Sequence, residues 1–218
     1  MDSIKEICQF LKFNPRTLVE IGAAHPNTYR LDWFVKNLYK VILVEANPRL
    51  HYCLSEGWND NDFKESWTPK SRIVPPPPYQ NPGLKQFKNV EIINAAVTDK
   101  NEDVKIYERN ASTFVAGVKS PAKVNDGYLE NDEDSYTVKG ITIDKIDDGE
   151  IDVLLSDTEG CEWFCIKNLI SRPKLIILEL RGQGYVNPYF NEIMDWMLVN
   201  NYGLVGYDYT DFAFVRRS

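Results

Sequence analysis

The sequence predicts an α/β fold: a doubly wound (Rossmann-like), mostly parallel seven-stranded sheet with a C-terminal antiparallel hairpin. Short β-branched runs alternate with helical patterns along most of the chain, which is typical of parallel βαβ units. The run at residues 174–180 is apolar nearly throughout, as expected of a strand covered on both faces. The last two runs are joined by only a short connection, so they are expected to pair as antiparallel neighbours.

The expected elements follow one another along the chain. Parallel strands are expected at residues 17–21, 40–45, 90–94, 151–155 and 174–180, and the hairpin strands at 204–209 and 212–215. Helices are expected at residues 29–38, from near Pro48 to past Leu54, at 161–170 and at 187–200. In the last helix, Phe190, Ile193 and Met197 recur at helical spacing.

The length of 218 residues suits one domain with a sizeable core and is short for two, so residues 1–218 are expected to form a single domain. Two polar segments interrupt the βα pattern. Residues 57–87 contain four consecutive prolines, and residues 110–135 contain an acidic run. Both are expected to be long loop excursions. They are either solvated loops or, if they lie beyond the C-terminal ends of parallel strands, substrate lids.

The composition narrows the class of protein. A hydrophobic content of 43% with 26% charged residues indicates a globular chain rather than a disordered one. The net charge of −7 disfavours a protein that grips nucleic-acid phosphates. The polar N-terminus and the lack of any window near ~20 apolar residues predict no signal peptide and no membrane segment. The four scattered cysteines fit a reduced, cytoplasmic setting.

The candidate ligand-binding residues are those at the carboxyl ends of the strands, because open α/β sheets bind ligands there. The first strand ends in the small-residue stretch 22–24, where backbone can approach a ligand closely. The second ends in Glu45, placed to accept hydrogen bonds from two ribose hydroxyls. Asn47 ahead of Pro48 is the better helix cap, which leaves Glu45 available for a ligand. The pair indicates a bound nucleoside.

Three acids follow the fourth strand within six residues, at a strand-to-helix corner. Buried and unpaired, they would be costly, and helix capping accounts for only one of them. We therefore expect Asp157 to be a general base or metal ligand, Glu159 to support the site, and Glu162 to be a first-turn helix acid. Glu179 and Arg181 end the fifth strand at the same edge, where Arg181 pairs with Glu179 or binds an acidic acceptor.

Six short motifs occur in order between about Leu18 and Leu180, at residues 19–23, 44–48, 94–99, 142–146, 157–162 and 177–180. Together they resemble the FkbM family of methyltransferases, and the D-x-E-G-x-E and N-A-A-V-x-D elements are the most specific. His25, Pro26 and Asn27 stand where the family commonly has a second glycine, and Leu155 stands where it often has lysine.

The resemblance implies a class I methyltransferase fold with S-adenosylmethionine as methyl donor. Glu45 would contact the ribose, with Ala46 beside it, and Asp157 is also counted with the cofactor site. By the same analogy, the methionine part of the cofactor would be contacted by Glu20, Gly22, Ala23 and Ala24. The adenine would be flanked by Asn94, Ala95 and Ala96.

Two further hypotheses concern activation of the acceptor. His25 lies in the cofactor loop and is a candidate base, since its unperturbed pKa lies near neutrality; the alternative is a packing or hydrogen-bonding role. Asp157 with Glu179 is a candidate divalent-metal site, because hard cations take carboxylate oxygens. Such a metal would lower the pKa of the acceptor hydroxyl.

The function predicted is O-methylation of a hydroxyl on a sugar or small natural-product-like acceptor, so the expected partner is a small molecule or glycan. Three alternatives remain open. They are a nucleic-acid (RNA cap-like) methyltransferase, a non-catalytic nucleoside-binding module, and a nicotinamide-dependent oxidoreductase. The incomplete G-x-G-x-x-G pattern disfavours the oxidoreductase. The acceptor and the oligomeric state are left open by the sequence.

Overall fold

The central element of the computed structural model is a seven-stranded sheet. The structure describes residues 4–24, 32–58, 81–108 and 112–217. In chain order the strands are β1 (Thr17–Ile21), β2 (Lys40–Val44), β3 (Gly57–Trp58), β4 (Asn81–Pro82), β5 (Val90–Ile93), β6 (Ala96–Val97), β7 (Asp103–Tyr107), β8 (Phe114–Val115), β9 (Ser135–Ile141), β10 (Val153–Ser156), β11 (Leu175–Glu179), β12 (Arg181–Gly182), β13 (Tyr185–Val186), β14 (Tyr202–Tyr207) and β15 (Asp211–Arg216). The helices are α1 (Ile4–Phe10), α2 (Asp32–Asn37), α3 (Pro48–Glu56), α4 (Pro121–Asp126), α5 (Glu162–Ile166) and α6 (Phe190–Val199).

The strand order creates a crevice at the carboxyl ends of β1 and β10. The order across the sheet is β14-β15-β11-β10-β1-β2-β5. The chain therefore builds outward from β1 to β2 and β5, and then returns to the other side of β1 with β10 and β11. These five strands are parallel, whereas β15 runs antiparallel to β11 and β14. A reversal of this kind is where doubly wound folds bind ligands.

The sheet is buried on both faces, which explains its nearly continuous apolar strands. All five residues of β1 are buried. Because side chains alternate along a strand, Val19 and Ile21 pack into one hydrophobic cluster and Leu18 into the cluster on the opposite face. Leu155 belongs to that second cluster and is only 4% exposed, so this position contributes to the core rather than to the cleft.

The predicted fold class is confirmed, and the element boundaries differ in places. The hairpin begins two residues earlier than expected, at Tyr202, and its second strand extends to Arg216. The helix expected at 161–170 is shorter, covering Glu162–Ile166 only. The pattern at 29–38 contains α2 (Asp32–Asn37), and its first residues lie outside the described part of the chain.

A second sheet of four strands, in the order β6-β9-β7-β8, was not predicted. Here β9 pairs parallel to β6 and antiparallel to β7, and β7 pairs antiparallel to β8. The segment 110–135 is consequently more structured than the expected loop excursion. It contains β8, a 3-10 turn and α4, whose first turn is capped by the Ser120 side chain with Pro121 following. This cap is a helix-start signal that the sequence carries.

The other excursion, 57–87, is described at its two ends. Strands β3 and β4 pair antiparallel, and a 3-10 turn covers Leu84–Gln86. Residues 59–80, with the four prolines, lie outside the described residues. Among the helices in the described parts of the chain, none has the length and apolar character needed to cross a membrane.

Candidate functional site

A cavity of about 180 Å³ lies at the carboxyl ends of the central strands, beside the crevice between β1 and β10. Its wall is formed by the turns after β1, β2 and β10, by residues 95–97 at β6, by Ile106 of β7, and by residues 112–115, which we call the β8 segment. The described lining residues are Ile21, Gly22, Ala24, Val44, Glu45, Ala46, Ala95, Ala96, Val97, Ile106, Ser112, Thr113, Phe114, Val115, Asp157, Thr158, Glu159 and Cys161. Seven of the ten predicted cofactor residues, Asp157 among them, therefore line one cavity. Glu159, the second of the three predicted acids after β10, also lines it.

The turn after β1 requires glycine at position 22. Gly22 has φ +81°, and its amide donates to the Val44 carbonyl at 2.9 Å. A Cβ at this position would lie 1.8 Å from the carbonyl oxygen of Asp157. Glycine thus allows the turn after β1 to lie directly against the turn after β10. Ala24 also has a positive φ, at +52°, which directs its amide towards the second strand.

Glu45 is held at the end of β2 by backbone amides. One carboxylate oxygen accepts from the Ala24 amide at 2.8 Å, and the other accepts from the Asn47 amide at 2.7 Å. The residue is 4% exposed, and burial raises the pKa of Glu45 to about 7. Each oxygen retains a lone pair beyond the one that the amide uses. Glu45 is therefore fixed in orientation and can still accept hydrogen bonds from a ligand.

Asn47 and Asn94 support this corner of the cavity rather than lining it. Asn47 is the N-cap of α3, accepting from the Arg49 amide at 2.9 Å, so the predicted cap is confirmed. Its side-chain amide donates to Thr113 Oγ1 at 3.1 Å, which ties the β8 segment to the site. Asn94 donates to the carbonyls of Glu45 and Ala46, at 2.8 and 3.1 Å. The Asn94 amide thus stabilises the turn that carries Glu45, while Ala95 and Ala96 line the cavity.

The remaining predicted residues lie further from the cavity or outside the described chain. Glu20 and Ala23 are buried, at 6% and 0% exposure, behind the turn after β1. They are not among the described lining residues. His25, the alternative base, falls outside the described residues.

Three carboxylates converge at the ends of β10 and β11. One oxygen from each of Asp157, Glu159 and Glu179 lies within 4.8 Å of the others. Asp157 is exposed, while Glu159 and Glu179 are half-buried. Burial, together with the charges of Asp157 and Glu159, raises the pKa of Glu179 well above its ordinary value. This shift favours a protonated Glu179 that hydrogen-bonds with Asp157 at neutral pH. These acids, which the sequence linked by their position at strand ends, form one group.

The predicted pairing of Arg181 with Glu179 is wrong. The chain leaves the central sheet after Glu179, and Arg181 begins β12 with an exposed side chain. In the portion of the chain that the structure describes, no ion pair joins the two residues.

Glu162 has a role that the sequence did not reveal. It opens α5 as the predicted first-turn acid, but its carboxylate is fully buried. One oxygen accepts from the Thr158 amide at 2.7 Å, from Thr158 Oγ1 at 2.9 Å and from the Gly160 amide at 3.4 Å. The other oxygen accepts from the Asn187 side chain. Glu162 therefore holds the turn that presents Asp157 and Glu159.

That turn is bent sharply and packed closely. Glu159 has φ +56° and Gly160 has φ +114°, so two successive residues adopt left-handed conformations. A Cβ at Gly160 would lie 2.4 Å from the Lys119 carbonyl, in the segment just before α4. A strained non-glycine residue beside a buried anchor is a common arrangement at functional sites. Glu162 and Asn187, whose hydrogen bond anchors this turn, are 25 positions apart in the sequence. No local sequence pattern therefore reveals their contact.

The cavity offers groups for two kinds of contact. The alanines after β5, with Val97 and Ile21, form an apolar wall, and Glu45 faces it as a fixed acceptor. Such a combination suits a ligand that has a planar ring and vicinal hydroxyls. The carboxylates after β10 lie at the other side and can accept or hold a proton.

Residues 20–204 match the family described as Methyltransferase FkbM domain. No curated protein matches the chain. The methyltransferase domain of bacterial CtHen1-CN aligns over 97% of this chain and 95% of its own, with 9% identity and a TM-score of 0.45. A mutant of MtNAS in complex with S-adenosylmethionine aligns over 99% of this chain and 60% of its own, with 12% identity and a TM-score of 0.41. At these TM-scores neither likeness adds to the assignment.

The family match begins in β1 and ends in β14, so it covers every strand end that lines the cavity. The match also includes the span from about Leu18 to Leu180 that contains the six sequence motifs, except for the first two residues of that span. The chain belongs to the FkbM methyltransferase domain family and is a methyltransferase.

Proposed function

We propose that this methyltransferase transfers the methyl group of S-adenosylmethionine to a hydroxyl of a small sugar-like or natural-product-like acceptor. The observation that carries the cofactor assignment is the buried carboxylate of Glu45. It lies at the point where the strand order reverses, held by amides of the turns after β1 and β2. A fixed carboxylate in this position is suited to the two hydroxyls of a ribose.

The other lining residues fit the rest of the cofactor. The apolar wall at Ala95, Ala96 and Val97 suits one face of an adenine ring. The amides and small side chains of the turn after β1 suit the methionine part, because Gly22 leaves its backbone open to the cavity. When bound, S-adenosylmethionine supplies a methyl group on a positively charged sulfur that is an excellent leaving group.

The acids after β10 and β11 support proton transfer from the acceptor. Since the sulfonium leaves readily, the protein mainly has to align the hydroxyl with the methyl carbon. Asp157 is exposed to the cavity and is the proposed proton acceptor, with Glu159 beside it. Glu179 carries a proton and hydrogen-bonds with Asp157, which orients the Asp157 carboxylate. His25 remains an alternative base, and a divalent metal at Asp157 and Glu179 remains a separate prediction.

Charge favours a small acceptor over a nucleic acid. The protein has a net charge of −7, and three carboxylates lie together at the rim where the acceptor would enter. A polyphosphate chain would be repelled at this rim, whereas an uncharged hydroxyl compound would not. The β8 segment, with Ser112 and Thr113 in the wall, supplies hydroxyl groups suited to such a compound.

The first experiment is calorimetric titration of the protein with S-adenosylmethionine and S-adenosylhomocysteine, with NAD as the competing dinucleotide. We expect saturable binding of both sulfur nucleosides and none of NAD. Glu45→Gln should weaken binding by about tenfold or more, because it removes a charged acceptor of two hydrogen bonds. The matched control is Glu150→Gln, which removes an exposed acid at the opposite edge of the sheet. Failure of both sulfur nucleosides to bind, or equal weakening by the control, would overturn the cofactor assignment.

The acceptor is tested separately, with labelled cofactor and two panels of compounds. One panel holds hydroxylated sugars and small natural products, and the other holds capped and uncapped RNA oligonucleotides. Transfer to the first panel alone supports the proposal. Transfer to RNA alone would establish the nucleic-acid alternative. Cofactor binding without transfer to any member of either panel would favour the non-catalytic binding module.

A further inference from the structure

A second cavity, of about 440 Å³, lies at the edge of the central sheet opposite the cofactor site. Its wall includes the residues before β1, β2, β10 and β11 and the last residue of β15. Because β15 is antiparallel, its carboxyl end lies at the edge where the parallel strands begin. We name this space the basal cavity. It is lined by Arg16, Thr17, Tyr39, Gly149, Glu150, Ile151, Asp152, Arg172 and Arg216.

Three arginines line the basal cavity, and none of them pairs with a carboxylate in the described parts of the chain. Among the described residues, Arg16, Arg172 and Arg216 form no ion pair. The Arg16 guanidinium lies over the Tyr39 ring, with 5.4 Å between the guanidinium carbon and the ring centroid. Arg172 donates to backbone carbonyls, including that of Ser171 at 2.9 Å. All three residues are exposed. The Arg172 guanidinium carbon also lies 5.5 Å from the centroid of the Trp196 ring. The donors of Arg16 and Arg216 are therefore the ones most available to a ligand, and Arg172 adds positive charge beside them.

The two acids in the wall offset part of this charge but leave a net positive balance: three arginines and Lys174 against Asp152 and Glu150 give a formal charge of +2. The carboxylate of Asp152 accepts from the backbone amides of Arg16 and Thr17, at 2.7 and 3.1 Å, so it is occupied within the wall. Glu150 is exposed and forms no ion pair with a described residue. Lys174 lies beside the cavity, donating to the Arg216 carbonyl at 2.8 Å, and adds a further positive charge. The cavity is thus locally basic in a protein of net charge −7.

We propose that the basal cavity binds the phosphate group of a small phosphorylated molecule, held by Arg16, Arg172 and Arg216. Planar guanidinium groups match phosphate oxygens with paired N–H donors, which is why arginine predominates in phosphate recognition. The cations are confined to one cavity rather than arranged in a stripe, and the rest of the protein is acidic. Both points favour a compact ligand over a nucleic-acid strand. This site is independent of the cofactor site, since the two lie at opposite ends of the strands.

The test is calorimetric titration of the full chain with three probes at constant ionic strength: inorganic phosphate, adenosine 5′-monophosphate and a single-stranded RNA oligonucleotide. All three titrations are made with saturating S-adenosylhomocysteine present, so that the adenosine of the second probe does not bind in the cofactor site. We expect saturable binding of inorganic phosphate, of the monophosphate, or of both. A preference between these two identifies a free phosphate or a phosphate ester as the source. Arg16→Gln and Arg216→Gln should each weaken phosphate binding by about tenfold, since each removes a charge-assisted hydrogen-bond donor. Neither side chain forms a hydrogen bond with a described residue, so both variants are expected to fold.

The matched control is Lys139→Gln, which removes one exposed positive charge from β9. Its phosphate affinity should stay within about twofold of that of the wild type, because its charge lies outside the basal cavity. S-adenosylmethionine binding should be unchanged in Arg16→Gln and Arg216→Gln, which separates failure of this proposal from failure of the proposed function. The proposal is overturned by absence of saturable phosphate binding, by binding of RNA alone, or by equal weakening in Lys139→Gln.

Discussion

Gly22 provides the sharpest test of how the site is built. In Gly22→Ala, the new Cβ would lie 1.8 Å from the Asp157 carbonyl oxygen, and the residue would have to adopt φ +81°. The left-handed backbone costs about 1–2 kcal/mol for a residue with a Cβ. The steric overlap adds about 1–3 kcal/mol, because backbone on one side of the contact must move. The free energy of unfolding should therefore fall by about 2–5 kcal/mol.

Gly117→Ala separates the two contributions. Gly117 has a similar φ of +78°, but nothing lies within 4 Å of the Cβ that would be added. Only the backbone cost applies, so its loss should be about 1–2 kcal/mol. Both values are measured by denaturant unfolding, and S-adenosylmethionine binding is measured on the folded fraction. We expect Gly22→Ala to lose binding as well as stability. A stability loss no greater than that of Gly117→Ala would refute the close contact between the two turns.

Four further predictions concern the acids of the site. Burial raises the pKa of Glu45 to about 7, and the ionised carboxylate accepts hydrogen bonds from ribose hydroxyls more strongly than the protonated form. Cofactor affinity should therefore rise, by up to about tenfold, between about pH 6 and pH 8. Titrations in Glu45→Gln should show no such rise. Burial also raises the pKa of Glu162 in the folded protein from 4.5 to about 7. The protonated Glu162 side chain therefore adds to the free energy of unfolding below pH 4.5, and this contribution is lost as the pH rises through 7. Comparing unfolding of the wild type and Glu162→Gln across this range should reveal a pH-dependent difference of up to about 3 kcal/mol; parallel curves would count against it. Asp157→Asn should lower kcat by about 10²- to 10⁴-fold while the cofactor Kd changes little, and loss of cofactor binding alone would reassign the residue. A metal at Asp157 and Glu179 predicts loss of turnover in excess chelator and recovery with Mg²⁺; full activity in chelator would refute it.

The sequence predicted those parts of the fold that are specified by local patterns. The five parallel strands are short apolar runs, and the short link between the last two strands requires an antiparallel pair. The second sheet was missed because its pairings join distant segments. In β9, Tyr136 and Val138 pair with residues of β7 about thirty positions earlier. No long hydrophobic run marks either strand, since the buried residues are Val138, Gly140 and Ile141 in β9 and Ile106 and Tyr107 in β7.

The sequence predicted a site residue only where the end of a strand determines the position of its side chain. Glu45 directly follows β2, so its place at the cavity could be read from the sequence. The hydrogen bond from the Ala24 amide that helps to hold it could not, because that amide belongs to a turn in which Ala24 has a positive φ. Asn94 likewise lies at a strand end, but its side chain turns back to two backbone carbonyls. Position along the chain identifies which residues reach the site, and hydrogen-bond partners determine what each can do.

Three acids at this edge of the sheet show how the neighbours of a carboxylate determine what it can do. Glu45, Glu162 and Glu179 are all removed from solvent to some degree, and burial raises the pKa of each. Glu45 is compensated by backbone amides and keeps lone pairs that face the cavity, so it is suited to binding. Glu162 is compensated by donors on both of its oxygens and faces no cavity, so it is suited to holding a turn.

The neighbours of Glu179 are carboxylates rather than hydrogen-bond donors. A proton on this group removes the repulsion between two negative charges and so allows Glu179 to lie beside Asp157. An acceptor that brings its own negative charge would add a further repulsion to this group. An acceptor that brings a neutral hydroxyl instead offers a donor to Asp157. The charge arrangement at the rim therefore favours neutral acceptors. It also predicts that a phosphorylated analogue of any accepted sugar will be methylated more slowly than the sugar itself.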